Sequence, residues 1–284
     1  MFFFLIRSWR ELYFKTKNKP FISKIGYFSL NIMNHFFEFI KYKLLFYGKF
    51  KNFPYSESKK CIYTVLINHY DELQDPEFIT PGWDYICYTN NTDIKSSVWK
   101  LIQINDNDLI CPFRLNRKYK CLNHLVDASY DLSIYMDSNL QILGNLDKFI
   151  NSSFSQLTDI AVVYHKHRLS VKQEVDACIE NKKDSEEKIH GQFNDYIINE
   201  KFTDQMMLSW NTLIIRKTNQ PTLKLFMEHW FNEIMNRSSR DQISFIPSLE
   251  KFYPSINFNY IPHWKFNSCF KVTQHIHQRN NSAL

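Results

Sequence analysis

The stretch Leu132-Ser133-Ile134-Tyr135-Met136-Asp137-Ser138-Asn139 decides the fold. Five largely apolar residues, enough for one strand and too few for a helix, stop directly at a carboxylate. A run without polar alternation is a strand covered on both faces, as strands of a parallel sheet are. Toward the N-terminus the same texture recurs at 61–67, 84–89 and 99–104. Between the last of these and the opening stretch, Leu115, Tyr119, Leu122, Leu125 and Val126 recur at helical spacing and predict a helix over 114–129. Toward the C-terminus, 160–164 and 213–215 read as further strands, with helical segments near 170–181 and 186–200. A long helix begins near Pro221, a residue suited to a first turn, and turns Leu223, Phe226, Met227, Trp230, Phe231 and Ile234 to one face. Strands alternating with helices in this order predict an α/β fold, a mostly parallel sheet flanked by helices.

A chain of 284 residues can bury roughly three quarters of its unfolded surface, so it needs no metal or disulfide staple. With 44% hydrophobic and 23% charged residues it is not a disordered chain. No G-x-G occurs, which removes the two-glycine dinucleotide fingerprint. The net charge of +6 is unevenly spread. The first sixty residues hold twelve Lys or Arg against Glu11, Glu38 and Glu57, a balance of +9, which leaves −3 for the rest. That segment is also rich in Phe, Tyr and Trp. Aromatic rings among lysines suit an interfacial helix on an anionic membrane surface. Charged and polar residues interrupt every apolar run before spanning length, and no cleavage site follows the short apolar start. Residues 1–52 are therefore expected to form a basic helical segment for membrane-surface attachment, with a helical subdomain packed on the core as the alternative, followed by a Pro- and Ser-containing linker over 52–58 and one domain over 60–284. No nucleic-acid reader motif accompanies the basic residues, so no nucleic-acid partner is expected.

The six cysteines show neither C-x-x-C nor zinc spacing, and apolar neighbours mark Cys61, Cys87 and Cys269 as buried thiols. A reducing, cytoplasmic setting is expected, with the chain peripheral on the inner face of the membrane.

In parallel α/β sheets ligands gather at the carboxyl ends of strands, which points to the residues just after each one. Asp137 and Asn139 form a D-x-N pair there, one anionic and one neutral oxygen ligand for Mn²⁺ or Mg²⁺ bridging to a diphosphate; a strand-end Asx turn explains the same residues without a metal. Arg114, Arg117 and Lys120 recur at helical spacing, either as a phosphate-binding face or as a solvated one. His165 and His167 follow the fifth strand and would share a face if it continued, the one hint of a metallohydrolase. Glu174 or Asp176 on the next helix offers a base or an acceptor contact. Arg240, Asp241 and Gln242 follow the long helix, with Ser239 a suitable cap, and offer donors and acceptors to sugar hydroxyls; a first helical turn explains Asp241 without a ligand.

Taken in order, Asn68-His69-Tyr70-Asp71, Arg117-Lys118-Tyr119-Lys120, Tyr135-Met136-Asp137-Ser138-Asn139, His165-Lys166-His167-Arg168, Glu174-Val175-Asp176-Ala177-Cys178 and Arg240-Asp241-Gln242-Ile243-Ser244-Phe245 resemble the TOD/MUCI-type glycosyltransferase-like family over about residues 60 to 250. The resemblance implies a GT-A-like, Rossmann-like fold and a metal-dependent transferase taking a nucleotide-diphosphate sugar, most naturally a UDP-sugar, to a glycan or lipid-linked acceptor. Relatives in bacterial surface-polysaccharide gene sets suggest lipopolysaccharide or capsule. By this resemblance Asn68, Asp71, Thr89 and Asn90 face the nucleoside, Arg117 and Lys120 the diphosphate, and Asp137 and Asn139 the metal. His165, Arg168, Glu174, Asp241 and Gln242 surround the transferred sugar and acceptor, with Asp241 or Glu174 as base. Two departures stand out: Asn68-His69 replaces a common Gly-Gly, and Asn90 replaces a commoner Asp. The altered first loop, with D-x-N in place of D-x-D, leaves open a noncatalytic nucleotide-sugar or glycan-binding module of the same fold.

Overall fold

The computed structural model describes residues 58–105, 111–122, 124 and 128–275. The basic segment 1–52 lies outside them, as does all of the linker over 52–58 except its last residue.

Seven strands form the central sheet: β1 (Lys60–Leu66), β2 (Trp83–Thr89), β3 (Lys100–Gln103), β4 (Leu132–Met136), β6 (Ile160–Tyr164), β7 (Ser209–Lys217) and β8 (Phe258–Ile261). Their order is β3-β2-β1-β4-β7-β6-β8. Every neighbouring pair is parallel except those of β7, which runs against both β4 and β6. A two-stranded sheet of β5 (Leu140–Ile142) and β9 (Phe270–Val272) lies beside it. The helices among the described residues are α1 (Pro112–Cys121), α2 (Leu146–Ser153), α3 (Val171–Glu180), α4 (Glu186–Ile198), α5 (Pro221–Asn236), α6 (Asp241–Phe252) and the short α7 (His263–Phe266).

Strand alternation sends side chains to two cores. Cys61, Tyr63 and Val65 of β1 pack with Leu115 of α1, Val175 of α3, Phe193 of α4, Trp230 of α5 and Phe245 of α6. Ile62 and Leu66 face the opposite way, onto Leu140, Phe149 of α2 and Phe266 of α7. All seven residues of β1 are buried, as an uninterrupted apolar run requires of a covered strand.

Several expectations are corrected. The helix expected over 114–129 is broken after Cys121, where Leu122 leaves helical geometry with its N–H on the Lys118 carbonyl at 2.7 Å; His124 is again helical, and 123 and 125–127 lie outside the described residues. Its Pro112 occupies the first turn, where a missing N–H costs nothing. Strand β7 is longer than 213–215, since the polar Ser209, Asn211 and Thr212 are buried within it. The helix after Ser238 is capped at Arg240, not Ser239, and no side chain closes that cap; the Ser239 backbone N–H binds Asp184 at 3.0 Å instead. Strands β5, β8 and β9 and helices α2 and α7 lacked a sequence signal; most are too short to display a period.

Buried Arg216 of β7 ties α1 to the sheet. Its guanidinium donates to the Tyr63 hydroxyl, to the Lys120 carbonyl at 2.9 Å and to the Cys121 carbonyl at 3.3 Å. A cation on the last carbonyls of a helix satisfies groups that no backbone N–H reaches. Through this contact Lys120 is placed beside the end of β4.

Candidate active site

A cavity of about 270 Å³ opens where β1 and β4 end and β7 begins. Asn68, Tyr70 and Asp71 after β1 line it, with Phe113, Asn116, Arg117 and Lys120 of α1. Tyr135, Asp137 and Ser138 come from β4, Trp210, Asn211 and Thr212 from β7, Arg240, Asp241 and Gln242 from the start of α6, and His275 from the segment after β9.

Its floor is an ion-pair cluster. The Lys120 ammonium lies 2.7 Å from Asp241 Oδ2, and the Arg117 guanidinium 3.2 Å from Asp241 Oδ1. Lys120 and Asp241 are 1% and 3% exposed, so neither belongs to a solvated helix face. Burial alone would raise the Asp241 pKa; Arg117 and Lys120 outweigh it and hold the carboxyl well below the usual carboxylate range. Arg114 departs from the expected shared face, its guanidinium donating to the carbonyls of Ile234 and Arg237 at 3.2 Å each. Beside the cluster, the Tyr135 hydroxyl donates to Asp137 Oδ1 at 2.7 Å, and Lys120 Nζ stands 3.7 Å from the same oxygen. Burial and then the Asp137 charge push the Tyr135 phenol far above its ordinary value, so it remains a donor.

The loop after β1 holds two consecutive left-handed residues, Asn68 at φ 54° and His69 at φ 51°. Glycine takes that conformation freely and asparagine at small cost. Asn68 N–H donates to Asn90 Oδ1 at 2.9 Å, and Asn90 Nδ2 donates to Asn68 Oδ1 at 2.7 Å. His69 N–H is received by Asn91 Oδ1 at 3.2 Å. The two departures at 68 and 90 are thus partners: an Asp at 90 could not supply the second bond. Asn90 is exposed and braces the loop, and buried Thr89 accepts the Asn91 N–H at 3.1 Å; neither lines the cavity.

Asp71 Oδ2 accepts from the Ser138 hydroxyl at 2.7 Å, and Asp71 meets His275 Nδ1 at 2.9 Å. The His275 ring lies edge-on to Tyr70, with centroids 5.3 Å apart. Asp71 raises the His275 pKa by hydrogen bond, against a smaller opposing effect of burial. Asn139 turns its amide away, toward the Thr273 carbonyl at 3.3 Å and His275 Nε2 at 3.4 Å. Asn139 is not among the residues lining the cavity, whereas Asp137 is. Among the described residues no three His, Cys, Asp or Glu side chains cluster as a preformed metal site. Asp137, with 35% of its side chain exposed at the cavity, suits a hard cation that takes its remaining oxygens from phosphate.

The other expected site residues gather elsewhere. Arg168 Nε pairs with Glu174 Oε2, and its NH2 lies 2.9 Å from His165 Nε2. His165 Nδ1 accepts the backbone N–H of His167 at 3.1 Å and of Arg168 at 2.9 Å, which ends β6 in a turn. That bonding turns His165 to shaping the chain and removes the arrangement a His165/His167 metal pair requires. Glu174 Oε1 receives Cys178 Sγ at 3.3 Å. His165, Arg168 and Glu174 do not line the cavity; they are linked to it through Cys178, which neighbours Arg240. Gln242 does line it, with Nε2 on the Ser209 carbonyl at 3.2 Å.

Sequence reasoning missed Trp210, Asn211 and Thr212 because searching the residues after each strand fails for a reversed one. The residues at the start of β7 lie at the sheet end where its parallel neighbours finish. A polar break ahead of the apolar run, Ser209 to Thr212, was the available signal. His275 was missed because the resemblance reached only to about residue 250.

Comparison with known proteins bears on that limit. The TOD1/MUCI70, glycosyltransferase-like domain matches residues 84–275, so the family region starts later and reaches farther than 60–250 and takes in His275. Among solved structures, one titled as the apo structure of the WbbM bifunctional glycosyltransferase is 6% identical, with a TM-score of 0.42. The match covers 74% of this chain and 40% of that one. No curated protein matches significantly. The chain belongs to the TOD1/MUCI70 glycosyltransferase-like domain family.

Proposed function

We propose that this chain transfers a sugar from a nucleotide-diphosphate sugar, a UDP-sugar in the first instance, to a glycan or lipid-linked acceptor in the assembly of lipopolysaccharide or capsule. The observation that carries the reading is the cavity at the carboxyl ends of β1 and β4, where an open Asp137 carboxylate faces a cationic wall. The Asn68–Asp71 loop, braced by Asn90, and the exposed rings of Tyr70 and Phe113 at the mouth receive the nucleoside. Asp137 would hold Mn²⁺ or Mg²⁺ against the diphosphate. When bound, such a cation supplies Lewis-acid stabilisation of the departing diphosphate.

Asp241, paired twice and held below the ordinary carboxylate range, is a weak base. Its task in this arrangement is to fix Arg117 and Lys120, while Gln242 and Asn211 offer amides to sugar hydroxyls. Glu174, tied to Arg168 and outside the cavity, steadies the wall and does not take the acceptor proton.

The basic segment 1–52 is assigned to attachment at the anionic, cytoplasmic face of a membrane; no helix of the described residues is long and apolar enough to cross one. Deleting residues 1–50 should release the protein from anionic vesicles in a sedimentation assay without loss of donor binding. Transfer itself is tested with a panel of nucleotide sugars, Mn²⁺ and a membrane glycolipid extract. Release of nucleoside diphosphate, dependent on both acceptor and Asp137, supports the reading, and no release from any donor defeats it. The second reading, a noncatalytic sugar-nucleotide module, draws on the turned Asn139 and the paired Asp241. It predicts donor binding with no transfer to any acceptor.

A further inference from the structure

Three cations line the cavity: Arg117, Lys120 and Arg240. Asp241 engages the first two at 3.2 and 2.7 Å. Arg240 is different. Among the described residues no carboxylate stands within ion-pair distance of its guanidinium, which acts on Asp241 only at longer range; its buried Nε, like that of Arg117, has no hydrogen-bond partner. The group touching it from behind is the Cys178 thiol, which burial keeps protonated and neutral. That thiol donates to Glu174, whose other oxygen is held by Arg168, so the acid on this side is already neutralised. The cluster of His165, Arg168, Glu174 and Cys178 therefore acts as a backing that leaves the Arg240 charge directed to the cavity. A guanidinium at a cavity wall with no carboxylate directly paired to it is matched by an oxyanion, which it can hold with two parallel N–H donors.

We propose that Arg240 is the oxyanion-binding residue of this cavity and takes the diphosphate of the nucleotide donor, while Arg117 and Lys120 serve to hold Asp241. The source of the oxyanion rests on the glycosyltransferase reading; the anion site itself does not. The carboxylate of an acidic acceptor sugar offers the same chemistry, and titration with each kind of anion separates the two. Arg240 is a binding residue here, placed to meet substrate. His165, Arg168, Glu174 and Cys178 are positioning residues that act through it.

The test is calorimetric titration of the full chain and of Arg240→Gln with pyrophosphate, UDP, uridine and glucuronate, without added divalent cation. Losing a charged, bidentate contact should weaken pyrophosphate and UDP about tenfold or more, leaving uridine unchanged. Pyrophosphate affinity equal in wild type and Arg240→Gln overturns the proposal, and so does a wild-type chain that binds no pyrophosphate. A loss confined to glucuronate overturns the diphosphate assignment in favour of an acidic sugar. Should Arg240→Gln fail to fold, Arg240→Lys carries the test: the lost fork predicts severalfold weaker pyrophosphate, and unchanged affinity overturns it. Pyrophosphate binding that depends on Arg240, in a chain that neither binds nor turns over any nucleotide sugar, keeps the anion site and defeats the transferase reading instead.

Discussion

Asn68 and Asn90 lie 22 positions apart, and each looks like a separate departure from the family pattern. In the fold they exchange two hydrogen bonds and hold a left-handed turn at the cavity mouth. Each alone should matter more than its exposure suggests. Asn90→Asp removes one donor and should cost about 1 kcal/mol, and Asn68→Gly relieves the left-handed strain but loses the bracing. A double-mutant cycle by urea denaturation should give a coupling of at least ~0.5 kcal/mol, whereas strict additivity would show that the pair does not act together. Asp241 yields a pH prediction. Its folded pKa is depressed by Arg117 and Lys120, so its contribution to stability is present above the unfolded carboxylate value of about 4 and is lost as pH falls toward the folded value. Urea midpoints measured from pH 6 down to 2.5 should fall more steeply for the wild type than for Asp241→Asn. Parallel curves would contradict the pairing.

Among the elements, β7 shows best what a sequence discloses and what it hides. Its apolar centre is plain in Leu213 to Ile215, and its reversed direction is not. Direction is set by pairing with β4 and β6, which lie far away in the chain. The long apolar strands β1, β2, β4 and β6 and the helix from Pro221 were legible because burial on both faces, or a sustained period, leaves a local imprint. The two-stranded sheet of β5 and β9 joins residues more than 120 positions apart through three-residue strands, and no local pattern announces it. The candidate site divides the same way. Asp137, Arg117, Arg240, Asp241 and Gln242 lie next to strand ends or in first helical turns and could be read, whereas His275 and the separate pairing states of Arg117 and Arg240 depend on packing. Helix α3 carries Glu174 and Cys178 behind Arg240, and Ser170 caps it by accepting the Gln173 N–H at 3.3 Å. Ser170→Ala should lower stability by about 1 kcal/mol in urea denaturation and should weaken pyrophosphate binding less than Arg240→Gln does. A larger binding defect from the cap than from Arg240 would contradict the backing role of α3.

At the scale of the molecule, one sheet separates two apolar cores, and a cluster of charged groups gathers at the end where β1 and β4 finish. Buried charges survive in such a place only when paired, and the cavity pairs nearly all of them: Asp241 with Arg117 and Lys120, Asp71 with His275, and Glu174 with Arg168. The Asp137 carboxylate edge and the Arg240 guanidinium stay open, and together they define a ligand that carries a cation at one end and bare anionic oxygens at the other. A nucleoside diphosphate with its metal has that form. A crystal structure of the chain saturated with UDP and Mn²⁺ tests this most directly. The account predicts the two phosphates between Asp137 and Arg240, with the nucleoside against the Asn68–Asp71 loop. A nucleotide bound elsewhere on the chain, or a cavity holding none at saturation, would contradict it.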